Sequence, residues 1–230
     1  MTNVLLVTSI SFAPWISIVI LWFNTLLLYS DRLFRRVLIE KEFLNFVLAQ
    51  METALLVKCV NFAALKHRDQ RRKNSEQSPY INHPIGVAYI LTEIGKVDDS
   101  ATIQAALLHD TVEDTDTSFE EIEKMFGVLV CSIVKEVTDD KTLPKMERKR
   151  LQIEHARGAS KQAKLVKLAD KLHNLRDLTM LPPVGWEESR IQEYFEWSAK
   201  VVKGLRGTNQ AIEHELDAIF RSKNVYDFSI

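Results

Sequence analysis

The stretch Gln104–Asp116, "QAALLHDTVEDTD", decides the reading of this chain. It begins as the inside of a helix, with Ala105, Ala106, Leu107 and Leu108 in a row. It then turns abruptly into His109, Asp110, Glu113, Asp114 and Asp116. A helix that only covered a core would not place so many ionisable groups one turn after its apolar run. Charged side chains are rarely buried unless they are paired or hold a metal. The stretch therefore predicts a helix that delivers a site. His109 and Glu113 are four apart, as are Asp110 and Asp114, so helical spacing puts all four on one side.

Working outward, the rest of the chain after Met51 reads as helical. Apolar residues recur every three or four positions over 53–67, 84–95, 101–110, 118–137, 144–155, 161–179, 187–205 and 208–221. Turn-forming clusters such as "GKVDDS", "DDKTLP" and "LPPVGW" separate them. Ser118 and Glu121 have capping-box spacing and predict a helix start, and Pro84 and Pro144 suit first turns. No alternating strand pattern runs beyond a few residues. The expected fold class is all-α: one helical bundle over 51–230, preceded by a hydrophobic N-terminal helix within 1–50.

That first part is different in kind. Residues 4–29 carry no charge, and a bilayer is crossed by a helix of about 20 residues. Arg32, Arg35 and Arg36 follow, which would leave the remainder on the cytoplasmic side. A membrane anchor is one expectation for 4–29. The other is an upstream extension, because Met51 opens a fresh amphipathic pattern.

Bulk properties remove several classes. With 46% hydrophobic and 27% charged residues the chain is not disordered as a whole. A net charge of −1 argues against a general nucleic-acid binder. Two cysteines, Cys59 and Cys131, build no disulfide framework and read as buried small hydrophobes of a reducing compartment. The common Gly-rich nucleotide loops are absent from the sequence. Oligomeric state is not written in it.

His109 and Asp110 are ligand types for a divalent transition metal, whereas all-oxygen sites suit Ca²⁺ or Mg²⁺. Two adjacent ligands do not make a tight site. His83, at a helix entrance before Pro84, and Asp170 in "AKLVKLADKLHNLRDL" are the candidates to complete it. Taken alone, Asp170 reads equally as a solvated acid paired with Lys167 or Lys171. The run "KHRDQRRK" (66–73) reads alone as a solvated basic face; beside a metal site, Arg72 and Lys73 become phosphate clamps. Lys141 and Lys145 would add charge from another edge. Trp186 and Trp197 are read as core, and His67, His155 and His214 as structural or surface residues. His173 is read as pointing away from Asp170.

Together these residues form the H…HD…D order of the HD-domain metal-dependent phosphohydrolases. The stretches 71–88 "RRKNSEQSPYINHPIGVA", 106–127 "ALLHDTVEDTDTSFEEIEKMFG", 137–142 "VTDDKT" and 164–178 "KLVKLADKLHNLRDL" resemble the hydrolase domain of the RelA/SpoT family, in its small animal form. The resemblance runs from about 53 to about 225. It implies that His83, His109, Asp110 and Asp170 hold a metal, usually Mn²⁺, and that Glu113 and Asp114 are the family's catalytic acid pair. It places Asn174 and Tyr194 near the nucleotide. The expected closeness of the two acids would raise the pKa of one, letting the pair divide base and acid roles. The implied reaction removes the 3′-pyrophosphate of (p)ppGpp to give GDP or GTP. A second substrate, NADPH losing its 2′-phosphate, fits the same residues. A generic HD nucleotidase and a non-enzymatic, membrane-tethered nucleotide sensor are the alternatives, and the intact ligand and acid positions favour catalysis.

Overall fold

The computed structural model describes residues 41–225, except 43, 45, 47 and 48. The chain divides into two units, Met1–Glu52 and Thr53–Ile230. The described residues of the first unit are helical. The charge-free 4–29 segment lies outside the described residues. Among the described residues, no helix is long and apolar enough to cross a membrane.

The second unit is all-helical. Its elements are α1 (53–66), α2 (Asn82–Tyr89) with a π-helical continuation Ile90–Ile94, α3 (Ser100–Leu108), a single turn α4 (Thr111–Asp114), α5 (Phe119–Phe126), α6 (Val128–Val137), α7 (Lys145–Ala156), α8 (Lys161–Met180), α9 (Glu188–Leu205) and α10 (Gln210–Ser222). The β-type pairing among the described residues is the isolated bridge Arg71↔Pro79. Around it Arg72 N–H donates to Ser78 O and Tyr80 N–H to Gln70 O, closing a loop that carries the basic run.

α8 is the axis of the bundle. Leu165, Leu168, Leu172, Leu175 and Leu178 are buried, as the leucine stripe predicts, and Val166 and Ala169 join them. With apolar side chains on several faces, α8 packs against α2, α3, α6, α9 and α10 at once. Each fully buried Leu contributes about 1.5–3 kcal/mol. α3 is likewise buried across Ala105–Leu108. α7 lies along α9, and Gly204 permits the approach: a Cβ there would sit 2.7 Å from Ala156 Cβ.

The helix starts follow local chemistry. Asp99 accepts from Thr102 N–H, Ser118 from Glu121 N–H, Ser160 from Ala163 N–H and Asn209 from Ile212 N–H, each satisfying an otherwise orphaned donor. The Ser118 half of the capping box forms, while the Glu121 carboxylate turns to Lys66 instead. The expected continuous helix over 118–137 is two helices. Gly127 breaks it at φ 90°, a conformation that costs glycine little and other residues much.

Candidate metal centre and nucleotide cleft

α3 ends at Leu108, and the chain turns there. Thr111 is buried, and its hydroxyl donates to Leu108 O at 2.7 Å, closing the helix end. His109 follows, its Nδ1 bonded to Ala106 O at 2.7 Å. A carbonyl only accepts, so Nδ1 carries a proton and Nε2 is the nitrogen that faces the carboxylates. Asp110 sits at φ −98°, ψ −5°, in the sparsely populated bridge region common at active sites.

α2 supplies His83 and α8 supplies Asp170 to the same point. His83 Nε2 lies 3.1 Å from Asp170 Oδ1 and 3.6 Å from Asp110 Oδ2. His109 Nε2 lies 3.1 Å from Asp110 Oδ2 and 3.8 Å from Asp170 Oδ1. One ligand atom each from His83, His109 and Asp170 falls within a 4.8 Å group, and Asp110 closes the fourth side. His109 Nε2 is buried and makes no hydrogen bond. Two imidazole nitrogens and two carboxylates converging in this way, one of the nitrogens orphaned, form a donor set that fits a divalent cation.

The electrostatics agree. Burial opposes charge on His109, but the Asp110 and Asp170 carboxylates overcome it and push the imidazole up to about 9. Burial likewise opposes the ionisation of Asp110 and Asp170; the imidazoles, and Lys171 for Asp170, hold both carboxyls below their usual range. His83 is pushed down, mainly by burial. Without a cation the carboxylates thus favour the charged form of His109; a divalent ion would supply that positive charge in its place.

Outer contacts fix each ligand, as metal sites require. The Tyr80 hydroxyl donates to Asp110 Oδ2 at 2.7 Å. Asn174 Nδ2 donates to Asp170 Oδ1 at 2.6 Å, and the buried Lys171 ammonium to Asp170 Oδ2 at 3.0 Å. The solvated-pair reading of Asp170 thus named a real partner, but in a buried setting.

A profile described as the HD domain matches residues 59–194. The chain belongs to the HD-domain family. Guanosine-3′,5′-bis(diphosphate) 3′-pyrophosphohydrolase MESH1 of Xenopus tropicalis is 63% identical over 174 residues, spanning 76% of this chain and 97% of that protein. The Homo sapiens protein of the same name is 60% identical over 174 residues, again 76% and 97%. A solved structure described as a metazoan ortholog of SpoT, which hydrolyses ppGpp and plays a role in starvation responses, superposes with a TM-score of 0.74. It is 55% identical and covers 75% of this chain and 97% of its own. The resemblance to the small animal RelA/SpoT hydrolases therefore holds.

Glu113 and Asp114 do not line the same cavity. α4 is a separate turn, so Glu113 lines the metal pocket while Asp114 lines a neighbouring cavity of about 360 Å³. Glu113 Oε2 accepts from Asp139 N–H at 3.2 Å, and its Oε1 lies 3.5 Å from the Arg148 guanidinium. Its pKa is pushed up to about 7, first by burial and then by Asp110, Asp139 and Asp114. Burial, more than the closeness of Asp114, does this. Asp114 accepts from Gln70 Nε2 at 3.0 Å and is paired with Lys141.

The larger cavity has a basic and aromatic wall. Arg72, Lys73, Asn174 and Tyr194 all line it, together with Trp186 and Tyr80. Arg72 donates to Asp177 Oδ2 at 2.8 Å and to Asn174 Oδ1 at 2.9 Å. Lys145 is exposed in the first turn of α7 and lines neither cavity. Lys149, one turn on, lies over the Trp197 ring at 4.6 Å.

Some site residues escaped the sequence reading. His173 Nδ1 lies 3.0 Å from His83 Nδ1 and fixes that ring. Trp186 lines the cavity and Trp197 the metal pocket, so neither is only core. Cys59 and Cys131 are buried and free, as expected.

Proposed function

We propose that this chain is a metal-dependent phosphohydrolase that removes the 3′-diphosphate of (p)ppGpp, releasing pyrophosphate and GDP or GTP. The supporting observation is the convergence of His83, His109, Asp110 and Asp170 beside Glu113, opening into a basic cavity of nucleotide size. Relatives at 60–63% identity carrying the ppGpp pyrophosphohydrolase name support the substrate. The mixed imidazole and carboxylate set supports Mn²⁺ as the ion. When bound, such an ion lowers the pKa of water at neutral pH and stabilises phosphate charge.

The protein's own part is positioning and proton transfer. The stem of the substrate lies against Tyr194 and Trp186, with Arg72 and Lys73 pairing its phosphates. Glu113, tuned close to neutrality, accepts a proton from the attacking water. Asp114 lines the nucleotide cavity and is held by Lys141, which itself lines neither that cavity nor the metal pocket. Residues 4–29 are read either as a membrane anchor, which their length without charge and the arginines that follow support, or as part of an upstream extension, which the fresh amphipathic pattern from Met51 supports.

The test is an assay of purified protein with Mn²⁺ against ppGpp, NADPH and a 2′-deoxynucleoside monophosphate. Pyrophosphate release from ppGpp, lost in Asp110→Ala and Glu113→Ala, is the expected result. Phosphate release from NADPH alone would transfer the reading to a 2′-phosphatase. Tight Mn²⁺ binding without turnover would leave the sensor.

A further inference from the structure

Three cavities of this domain adjoin one another in series through shared lining residues. The nucleotide cavity meets the metal pocket at Tyr80, Asn174 and Tyr194. The metal pocket meets a third cavity, of about 190 Å³, at Asp139, Gln152 and Lys167. The first and third share no residue, so the metal pocket lies between them. A volume of 190 Å³ would hold about six waters, which is room for a phosphate group.

The third cavity contains both signs of charge, but their hydrogen-bonding states differ. Its carboxylates are committed. Glu136 accepts from Ser160 N–H at 2.8 Å, Asp139 from Gln152 Nε2 at 2.6 Å, and Asp140 from Thr142 N–H and hydroxyl at 2.9 and 2.7 Å. Its cations are not. Arg148 Nε is buried with no hydrogen-bond partner, and Nη1 reaches Glu113 only at 3.5 Å. Lys167 stands at the junction of the two pockets, and its ammonium has no hydrogen bond or ion pair within 4 Å among the described residues. Uncommitted donors on partly buried cations are costly unless an anion completes them.

We infer that Lys167 and Arg148 form a subsite for the distal phosphate of a 3′-diphosphate ester. The inference rests on the reaction proposed above. In that reaction the water oxygen bonds to the proximal phosphorus as the bond from this phosphorus to the ribose 3′-oxygen breaks. The electron pair stays on the 3′-oxygen, which takes its proton from solvent water, while one proton of the attacking water passes to Glu113 and the other stays on the new P–OH group. The proximal phosphorus departs still bridged to the distal one, as pyrophosphate. With the nucleoside in the first cavity and the proximal phosphorus in the second, the distal phosphate has the third to enter. The subsite therefore selects a diphosphate ester over a monophosphate ester, and it holds the product until release.

The experiment compares wild type with Lys167→Met on ppGpp and on guanosine 5′-diphosphate 3′-monophosphate, which lacks the distal phosphate. Losing one charge-assisted contact should lower kcat/KM for ppGpp by about tenfold or more. The 3′-monophosphate should lose less than about threefold, and Lys167→Arg should recover most of the ppGpp rate. A calorimetric titration with the manganese–pyrophosphate complex should show the same weakening in Lys167→Met without any turnover. Lys167→Gln, with melting temperatures of all variants, replaces Lys167→Met if that chain does not fold. Equal losses on both substrates, or unchanged pyrophosphate affinity, would overturn the subsite. A wild type inactive on ppGpp would overturn the proposed reaction instead, and the titration would still decide whether Lys167 binds pyrophosphate.

Discussion

Gly86 is a position in α2 from which the candidate metal site can be disturbed without touching a donor. It lies three residues after His83, and a Cβ built there would stand 2.1 Å from His173 Nε2 and 2.2 Å from its Cδ2. Ordinary contacts begin at 3.4 Å, so the ring in Gly86→Ala must retreat by about 3.4 − 2.1 = 1.3 Å. His173 is a stiff imidazole packed edge-on to His83 with 4.8 Å between centroids, so no flexible end can yield. Its Nδ1 is 3.0 Å from His83 Nδ1, and a bond of this kind is lost by roughly 3.6 Å. A retreat of that size removes it. Outer partners of metal-binding histidines are worth about 10–100-fold in metal affinity or activity, so Gly86→Ala should weaken Mn²⁺ binding by about tenfold. Overpacking costs about 1–3 kcal/mol, offset by about 0.5–1 kcal/mol from replacing glycine inside a helix. Chelator competition reads the affinity and thermal melting the stability. The decisive comparison adds His173→Ala, which removes the clashing ring. The double variant should bind metal no worse than His173→Ala alone and should melt higher, because only the helical gain of alanine is left. Wild-type affinity in Gly86→Ala, or additive losses in the double variant, would refute the reasoning.

Glu113 gives a pH prediction. Its carboxyl is pushed up to about 7 in the fold, from 4.5, so ionisation of the unfolded chain first costs stability as pH rises through about 4.5 to 7. Glu113→Gln in metal-free protein should match wild type near pH 4 and be more stable above pH 7, by at most about 3 kcal/mol; a difference that does not change with pH would sink the idea. Burial pushes the Cys59 thiol up to about 12, so a thiol reagent at pH 8 should modify it only as fast as the protein unfolds, and rapid labelling of native protein at Cys59 would contradict this. If 4–29 is an anchor, the full chain should stay with membranes through carbonate extraction while a chain starting at Met51 is released; identical behaviour of the two would favour the upstream extension.

What was legible in the sequence was what local pattern encodes. The buried run before His109, the leucine stripe of α8 and the Ser118 start all follow from spacing along one helix, and the structure shows them. The metal donors were legible as residue types, because imidazole and carboxylate inside apolar helices have few other uses. The misreadings came where two elements cross. Across 118–137 the apolar period continues through the break, so only Gly127 itself carried the signal. The acid pair was read on one continuous helix, but the chain turns after Leu108, and Glu113 and Asp114 address different cavities. His173 was set aside by counting from Asp170 on its own helix. Its partner is on α2, and the trace of that crossing in sequence is Gly86, a missing side chain opposite a ring.

Asn174 shows why substrate residues are harder to assign than ligands. The family resemblance placed it near the nucleotide, and it does line the cavity of about 360 Å³. Yet both ends of its amide are used inside the protein: Nδ2 donates to Asp170 Oδ1 at 2.6 Å, and Oδ1 accepts from Arg72 at 2.9 Å. An amide suits this place because it offers a donor to a carboxylate and an acceptor to a guanidinium on one short side chain. Aspartate would face Asp170 with like charge, and leucine would leave both neighbours without it. Arg72 has a second hold on the same helix through Asp177, 2.8 Å away. A phosphate that engaged Arg72 in this cavity would therefore compete with the bonds that steady Asp170 through Asn174. Through Asn174, the orientation of Asp170 and the readiness of Arg72 to bind phosphate are set by one side chain. By linkage, whatever the metal does to nucleotide affinity through this bridge, the nucleotide does equally to the affinity for metal.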